Sequence, residues 1–300
     1  MPGAGLGKDG QMELVMENNR LRVVVELLGA EIASIWDKST GQELLWQGDP
    51  ALWPHRAPLL FPVCGPLLDD RFEAEGQQYR MPPGGFALRM SHKLVCCDHN
   101  LICMRLESTP ETEAVYPCKF AVKTTYALKE NRVSSRMKVL NYDKKEMYFR
   151  CGFTTAFNCP EGGGDCRVRL EQPEALTILE RDSSGFLTRG SRMWEPEGGV
   201  IPLSARELDN GVIFKEPSSQ YFQLECGEKG RTIRLHLRGA PYAYLRAAPA
   251  GGPRRFLAMG SWHGVPDFAD SPADWSQKES VIALGGMEEY YTHQTIIIDP

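Results

Sequence analysis

The sequence predicts an all-β protein, a large antiparallel β-sandwich, and three observations carry that expectation. Apolar and polar residues alternate at period two through many short runs. Glycine (29) and proline (21) recur at intervals too short for helices of ordinary length. The runs are not separated by helical windows of the kind a parallel α/β sheet requires. In chain order, Leu21, Val23, Val25 and Leu27 share one face of a strand, and YRMP (79–82) supplies another short one. YALKENRVSSRMKV (126–139) reads as a hairpin turning over Lys129 to Asn131. CRVRLE, ALTILER, VIFKE, QYFQLE, TIRLHLR, AYLRAA and HQTIIID follow as strands, with Ile233, Leu235 and Leu237 making the cleanest apolar face. DPALW and SPADW are expected to form short helical turns. RFLAMGSWHGV (255–265) reads as an apolar run that turns at Gly260 and Ser261 and then presents Trp262 and His263.

With 300 residues, 42% of them hydrophobic, the chain can bury one core, and neither a repeat nor a linker divides it. One domain over 1–300 is expected, with residues 1–12 as a flexible amino-terminal tail. The net charge of -5 argues against nucleic acid and anionic membranes as partners, because both require basic patches. MPGAGLGKDGQME has no apolar signal core and no segment reaches membrane-spanning length, so a cytoplasmic protein is expected. The nine cysteines, an odd number that includes the adjacent Cys96 and Cys97, are expected to be reduced thiols. Cys159 and Cys166 flank PEGGGD, but no CxxC or nearby histidine completes a tetrahedral set, so no metal is expected. His236 and His293 lie on strands, where solvation accounts for them, and His92 and His99 have no partner spacing. His55 and His263, beside tryptophan-bearing loops, are the two histidines with functional potential.

Five segments in order, LLWQGDPALWPHRAPLLFPVCGPL (44–67), YRMPPGGFAL (79–88), NYDKKEMYFRCGFTTAFNCP (141–160), LDNGVIF (208–214) and RFLAMGSWHGVPD (255–267), carry a resemblance. The chain resembles the aldose 1-epimerase (galactose mutarotase) family, in particular its LacX-type branch, from about Leu14 to Ile298. That resemblance implies a single-domain sandwich, a sugar pocket on one broad sheet, and no cofactor. It also implies interconversion of α and β anomers, in which a glutamate base deprotonates the anomeric hydroxyl and a histidine acid protonates the ring oxygen.

Carried across residue by residue, the family's site is largely missing. The Gly-x-His-Pro-x-Phe pattern becomes Gly152 to Phe157, which puts Thr154 at the acid position. The glutamate that precedes Pro-Trp becomes Gly260, ahead of Ser261 and Trp262. The His-Gly-Phe-Ala-Arg motif becomes Gly84 to Leu88, which moves the nearest arginine to Arg89. The Gly-Arg pair after Phe-Pro becomes Gly65-Pro66, and the aspartate before the Ile-Phe strand becomes Asn210. Threonine and glycine cannot exchange protons near neutral pH, and each lost acid or base costs ~10²–10⁴ in rate.

The first expectation is therefore a carbohydrate-binding protein without the usual mutarotase activity. Gly84, Arg89, Thr154, Asn210, Trp262, His263 and His55 would line its site for a monosaccharide or sugar derivative. The alternative is an active epimerase with substitute groups such as His263, aided by His55, Arg89, Asp267 or Glu225. The third is a non-catalytic interaction scaffold, which would follow if side chains such as Phe153 or Met259 filled the pocket. Oligomeric state is not legible in the sequence.

Overall fold

The computed structural model describes residues 4–6, 12–160, 165–227, 232–249, 252 and 254–299. Two antiparallel sheets dominate. A nine-stranded sheet runs in the order Val200–Pro202, Cys166–Leu170, Tyr221–Cys226, Thr232–His236, Glu289–Asp299, Arg132–Asn141, Phe120–Lys129, Leu101–Glu107 and Lys93–Asp98. A seven-stranded sheet runs Leu187–Trp194, Leu176–Arg181, Val212–Lys215, Tyr242–Ala247, Phe256–His263, Cys151–Asn158 and Leu59–Leu60. The expected hairpin forms, with Lys129 opposite Arg132 and the turn at Glu130 and Asn131. A five-stranded sheet over the amino-terminal region completes the main architecture.

The apolar faces of the two large sheets pack on each other, as period-two alternation requires. Phe157, Phe214, Leu245, Leu257 and Met259 of the seven-stranded sheet share one core cluster with Leu235, Ile296 and Ile298 of the nine-stranded sheet. Phe153 and Cys151 share a second with Met137 and Val139. The other face of the seven-stranded sheet is covered too. Ala156, Ile213, Tyr244, Phe256, Ala258 and Trp262 pack there against Trp46 and Leu60, with Trp53 and Leu88 at the margin. Phe153 and Met259 therefore belong to the space between the sheets and do not fill the outer face.

Several expectations change. RFLAMGSWHGV does not turn at Gly260: Phe256–His263 is one continuous strand, buried up to His263. Burial on both faces removes the alternation by which such a strand is recognised. DPALW forms turns without a helix, whereas the end of SPADW opens a 3-10 helix, Trp275–Gln277. The expected amino-terminal tail includes a strand, Ala4–Leu6, paired with Met12–Glu17; residues 1–3 and 7–11 lie outside the described residues. Not all cysteines are reduced, since Cys166 and Cys226 face each other across neighbouring strands and form a disulfide. Cys159 completes a group of three sulfur atoms within 4.8 Å of one another, a proximity the sequence separation of 60 between the bonded pair conceals. Among the described residues, no helix is long and apolar enough to cross a membrane.

Candidate functional site

The outer face of the seven-stranded sheet brings the expected acid and base positions together. Strand Cys151–Asn158 pairs with Phe256–His263 so that Thr154 lies directly opposite Gly260, and Gly260 lies opposite Tyr244 on the next strand. Residues two apart share a face, so Trp262 stands beside Gly260 on the same side. Its indole Nε1 donates a hydrogen bond to Thr154 Oγ1 at 2.9 Å. A β-carbon at Gly260 would lie 2.7 Å from that same Nε1 and 3.1 Å from Thr154 Oγ1. The space a side chain at 260 would enter is thus held by the Trp262–Thr154 bond.

Trp262 also stacks on Tyr244, with ring centroids 4.3 Å apart and planes 12° apart. Together these rings form an apolar floor: Trp262 is 6% exposed, Tyr244 8% and Thr154 3%. Burial pushes the Tyr244 phenol up, against the opposing pull of Arg246 and Arg181. The tyrosine was not singled out in the sequence, because AYLRAA reads as an ordinary strand. Its register opposite Gly260 is the signal that identifies it.

Loops from the amino-terminal half roof the floor. Trp46 Nε1 donates to the Trp53 carbonyl at 2.8 Å, and Trp53 stacks on Phe256 at 5.6 Å. His55 meets Trp53 edge to face at 5.8 Å. Burial lowers its pKa, and the charges of Arg89 and Arg246 lower it further, which favours a neutral ring near pH 7. Gly84 is buried, and a β-carbon there would come within 2.9 Å of Leu88 Cδ2. Arg89 is exposed and donates to the carbonyls of Pro83 and Gly85, closing the turn in which Gly84 sits.

Asn210 is exposed and lines an open cleft of about 550 Å³ with Leu179, Arg181, Arg206 and Gly211. Tyr244 reaches this cleft from the sheet side: a β-carbon on Gly211 would lie 2.4 Å from the tyrosine oxygen. At φ +78°, Gly211 also occupies backbone space that side-chain-bearing residues rarely adopt. The stacked floor and the Asn210 cleft therefore meet at Tyr244.

His263 is not part of this arrangement. One residue beyond Trp262, it projects from the opposite face of the strand, where its Nδ1 meets Tyr290 Oη of the nine-stranded sheet at 2.7 Å. Burial, with a smaller contribution from His293, lowers its pKa to about 4. Asp267 and Glu225 do not approach the site either. Asp267 is enclosed by Arg150 and Lys278 at 2.9 and 2.6 Å, and Glu225 binds Arg167 and Arg169 on the nine-stranded sheet. Of the substitutes expected for the acid and base, only His55 and Arg89 lie on this side of the molecule, where the charge of Arg89 acts on His55.

This geometry, an antiparallel sandwich with a stacked aromatic floor on the outer face of one sheet, is that of a β-sandwich of the galactose mutarotase type. The sequence pattern of the aldose 1-epimerase family matches residues 12–241, and the chain belongs to that family. It is 25% identical over 274 residues to Protein LacX (plasmid) of Lactococcus lactis subsp. lactis, covering 85% of this chain and 88% of the relative. Two solved structures share its fold. A galactose mutarotase related enzyme from Lactobacillus acidophilus superposes with a TM-score of 0.90 at 23% identity, covering 96% of this chain and 98% of the other. A galactose mutarotase-like protein from Lactobacillus casei ATCC 334 gives 0.88 at 24% identity, covering 96% and 100%.

Proposed function

We propose that the protein binds a monosaccharide or sugar derivative on the outer face of its seven-stranded sheet and does not mutarotate it. The observation that carries this reading is the hydrogen bond from Trp262 to Thr154 across Gly260. Mutarotation requires a base at the anomeric hydroxyl and an acid at the ring oxygen, each ready to exchange a proton. Here one position has no side chain, the other has a hydroxyl that accepts from an indole, and the indole occupies the gap between them. What supports binding is the open cleft beside this face, where Asn210, Arg181 and Arg206 can meet hydroxyls, with the buried Tyr244–Trp262 stack behind it.

Polarimetry on freshly dissolved α-glucose and α-galactose tests the absence of catalysis, with relaxation at the buffer rate as the expected result. Relaxation accelerated in proportion to protein concentration would overturn it. Isothermal titration with neutral and phosphorylated monosaccharides tests binding, and absence of heat with every one of them would overturn that half of the reading.

A further inference from the structure

We propose that the sugar this face takes is anionic, a sugar phosphate or sugar acid whose oxyanion is held by Arg181 and Arg246. The proposal rests on the carbohydrate reading above and specifies the chemical class of the ligand.

The two arginines come from strands that are not sequence neighbours, and register places them together. Arg246 follows Tyr244 by two residues on Tyr242–Ala247 and so shares its outward face. Arg181 ends strand Leu176–Arg181 and lies opposite Leu187, which packs in the outer cluster. The strand between them is Val212–Lys215, paired with both. Continuing the register one step past Val212–Leu245 sets Gly211 opposite Arg246, and continuing it three steps past Ile178–Phe214 brings Gly211 toward Arg181 on the other side. At about 4.8 Å per strand, their backbones lie roughly 10 Å apart, and the Tyr244 phenol lies over the glycine between them.

Neither arginine forms an ion pair among the described residues. Arg181 donates to the Gly185 carbonyl at 2.8 Å, while Arg246 hydrogen-bonds the Tyr244 phenol and its buried Nε has no partner among the described residues. Burial lowers the Arg181 pKa and the charge of Arg246 lowers it further. Two partly desolvated cations beside each other are unfavourable unless an anion joins them. Among the described residues no carboxylate forms an ion pair with either arginine: Glu207 is paired with Arg192 and Asp209 with Arg254, while Glu180, which also lines the cleft, lies against Gly190 on the neighbouring strand. Arg206, which forms no ion pair among the described residues, adds a third cation to the cleft. At the positions where the family resemblance implies a glutamate and an aspartate, Gly260 and Asn210 add no negative charge. A planar guanidinium pair of this kind fits the oxygens of a phosphate or carboxylate through paired N–H donors. Tyr244, which lies between the stacked Trp262 and Gly211, connects the ring-binding floor to that anion position.

The test is isothermal titration of the whole protein with glucose, glucose 6-phosphate, glucose 1-phosphate, glucuronate and inorganic phosphate. The same titrations are made on Arg181→Gln, Arg246→Gln and Arg246→Lys, with thermal melts to establish that each variant is folded. The expected result is that at least one anionic sugar binds about tenfold or more tighter than glucose. Each glutamine variant should then lose about tenfold or more for that ligand, and lysine should restore part of the loss. Phosphate esters binding ahead of glucuronate would assign the oxyanion to phosphate, and the reverse order to a carboxylate. Glucose binding as tightly as every anionic sugar, or folded glutamine variants that bind them undiminished, would overturn the anion site and leave the carbohydrate reading standing. Inorganic phosphate binding as tightly as the sugar phosphates would keep the anion site and overturn the carbohydrate reading. No heat from any ligand would overturn both.

Discussion

At Gly260 the absence of a side chain is a packing requirement. The Trp262 indole lies where a β-carbon would project, with Phe153 O at 3.0 Å closing the other side. Gly260→Glu is therefore expected to destabilise the fold by about 1–3 kcal/mol through overpacking, without creating mutarotase activity. Urea denaturation and polarimetry on the same preparation check both parts, and accelerated relaxation would show that the missing base alone had silenced the site. Thr154→Val removes the acceptor and leaves a buried indole N–H unsatisfied, at a cost of about 1–3 kcal/mol by the same denaturation measurement. An unchanged midpoint would mean that the 2.9 Å bond contributes nothing to the floor. The assignment of Thr154 and Gly260 to the acid and base positions is an expectation from the family resemblance. That their space is held by a neighbouring tryptophan was not legible in the sequence, because nothing local in GSW indicates which way the indole turns.

The strand Phe256–His263 divides its side chains between two environments, and that division settles the role of His263. Trp262 joins the outer face while Ser261 and His263 point between the sheets. There Ser261 Oγ donates to Gln294, which in turn donates to Thr155. His263 stays neutral through most of the acid range, its pKa depressed to about 4. The unfolded chain takes up a proton at its ordinary value of about 6.5, so this histidine contributes no loss of stability above that pH. As pH falls from about 6.5 to about 4 the unfolded state gains protons first, and the fold loses up to roughly 3 kcal/mol from this group. His263→Gln should flatten that part of the curve, measured as the difference between variant and parent urea midpoints at pH 7 and pH 4.5. An unchanged slope would place the histidine in contact with solvent. At this level the exposed and half-exposed strands were readable from alternation. Strands buried on both faces, such as Cys151–Asn158 and Phe256–His263, were not, and Gly260-Ser261 was read as a turn for that reason.

Across the whole molecule, charges that alignment and proximity in sequence brought near the site serve the scaffold. Asp267 is fully buried and receives Arg150 at 2.9 Å, Lys278 at 2.6 Å and the Leu68 amide at 3.0 Å, while Arg150 also donates to the Glu279 carbonyl. This network ties the end of the loop after Phe256–His263 to the segment around Leu68 and to the Trp275–Gln277 turn. Removing its only carboxylate charge leaves two buried cations, so Asp267→Asn is expected to cost about 3–5 kcal/mol. Because the pair is enclosed, added salt should leave the loss largely intact. A cost below about 1 kcal/mol, or one abolished by salt, would show that water reaches the network.

Alternation, turn chemistry and the lack of helical windows were sufficient to establish an antiparallel sandwich, because strand period and breaker positions are local properties of a chain. The order of motifs was sufficient to indicate the family. Contacts between distant segments were beyond that reach. The pairing of Thr154 with Gly260, the disulfide between Cys166 and Cys226, and the inward aim of His263 all depend on sheet register. Register is decided when whole faces are buried together, and shifting one strand by a single residue would reverse every side chain on it. The composition of the site was therefore written in short stretches of sequence, while its meaning came from which strands the packing of two sheets made neighbours.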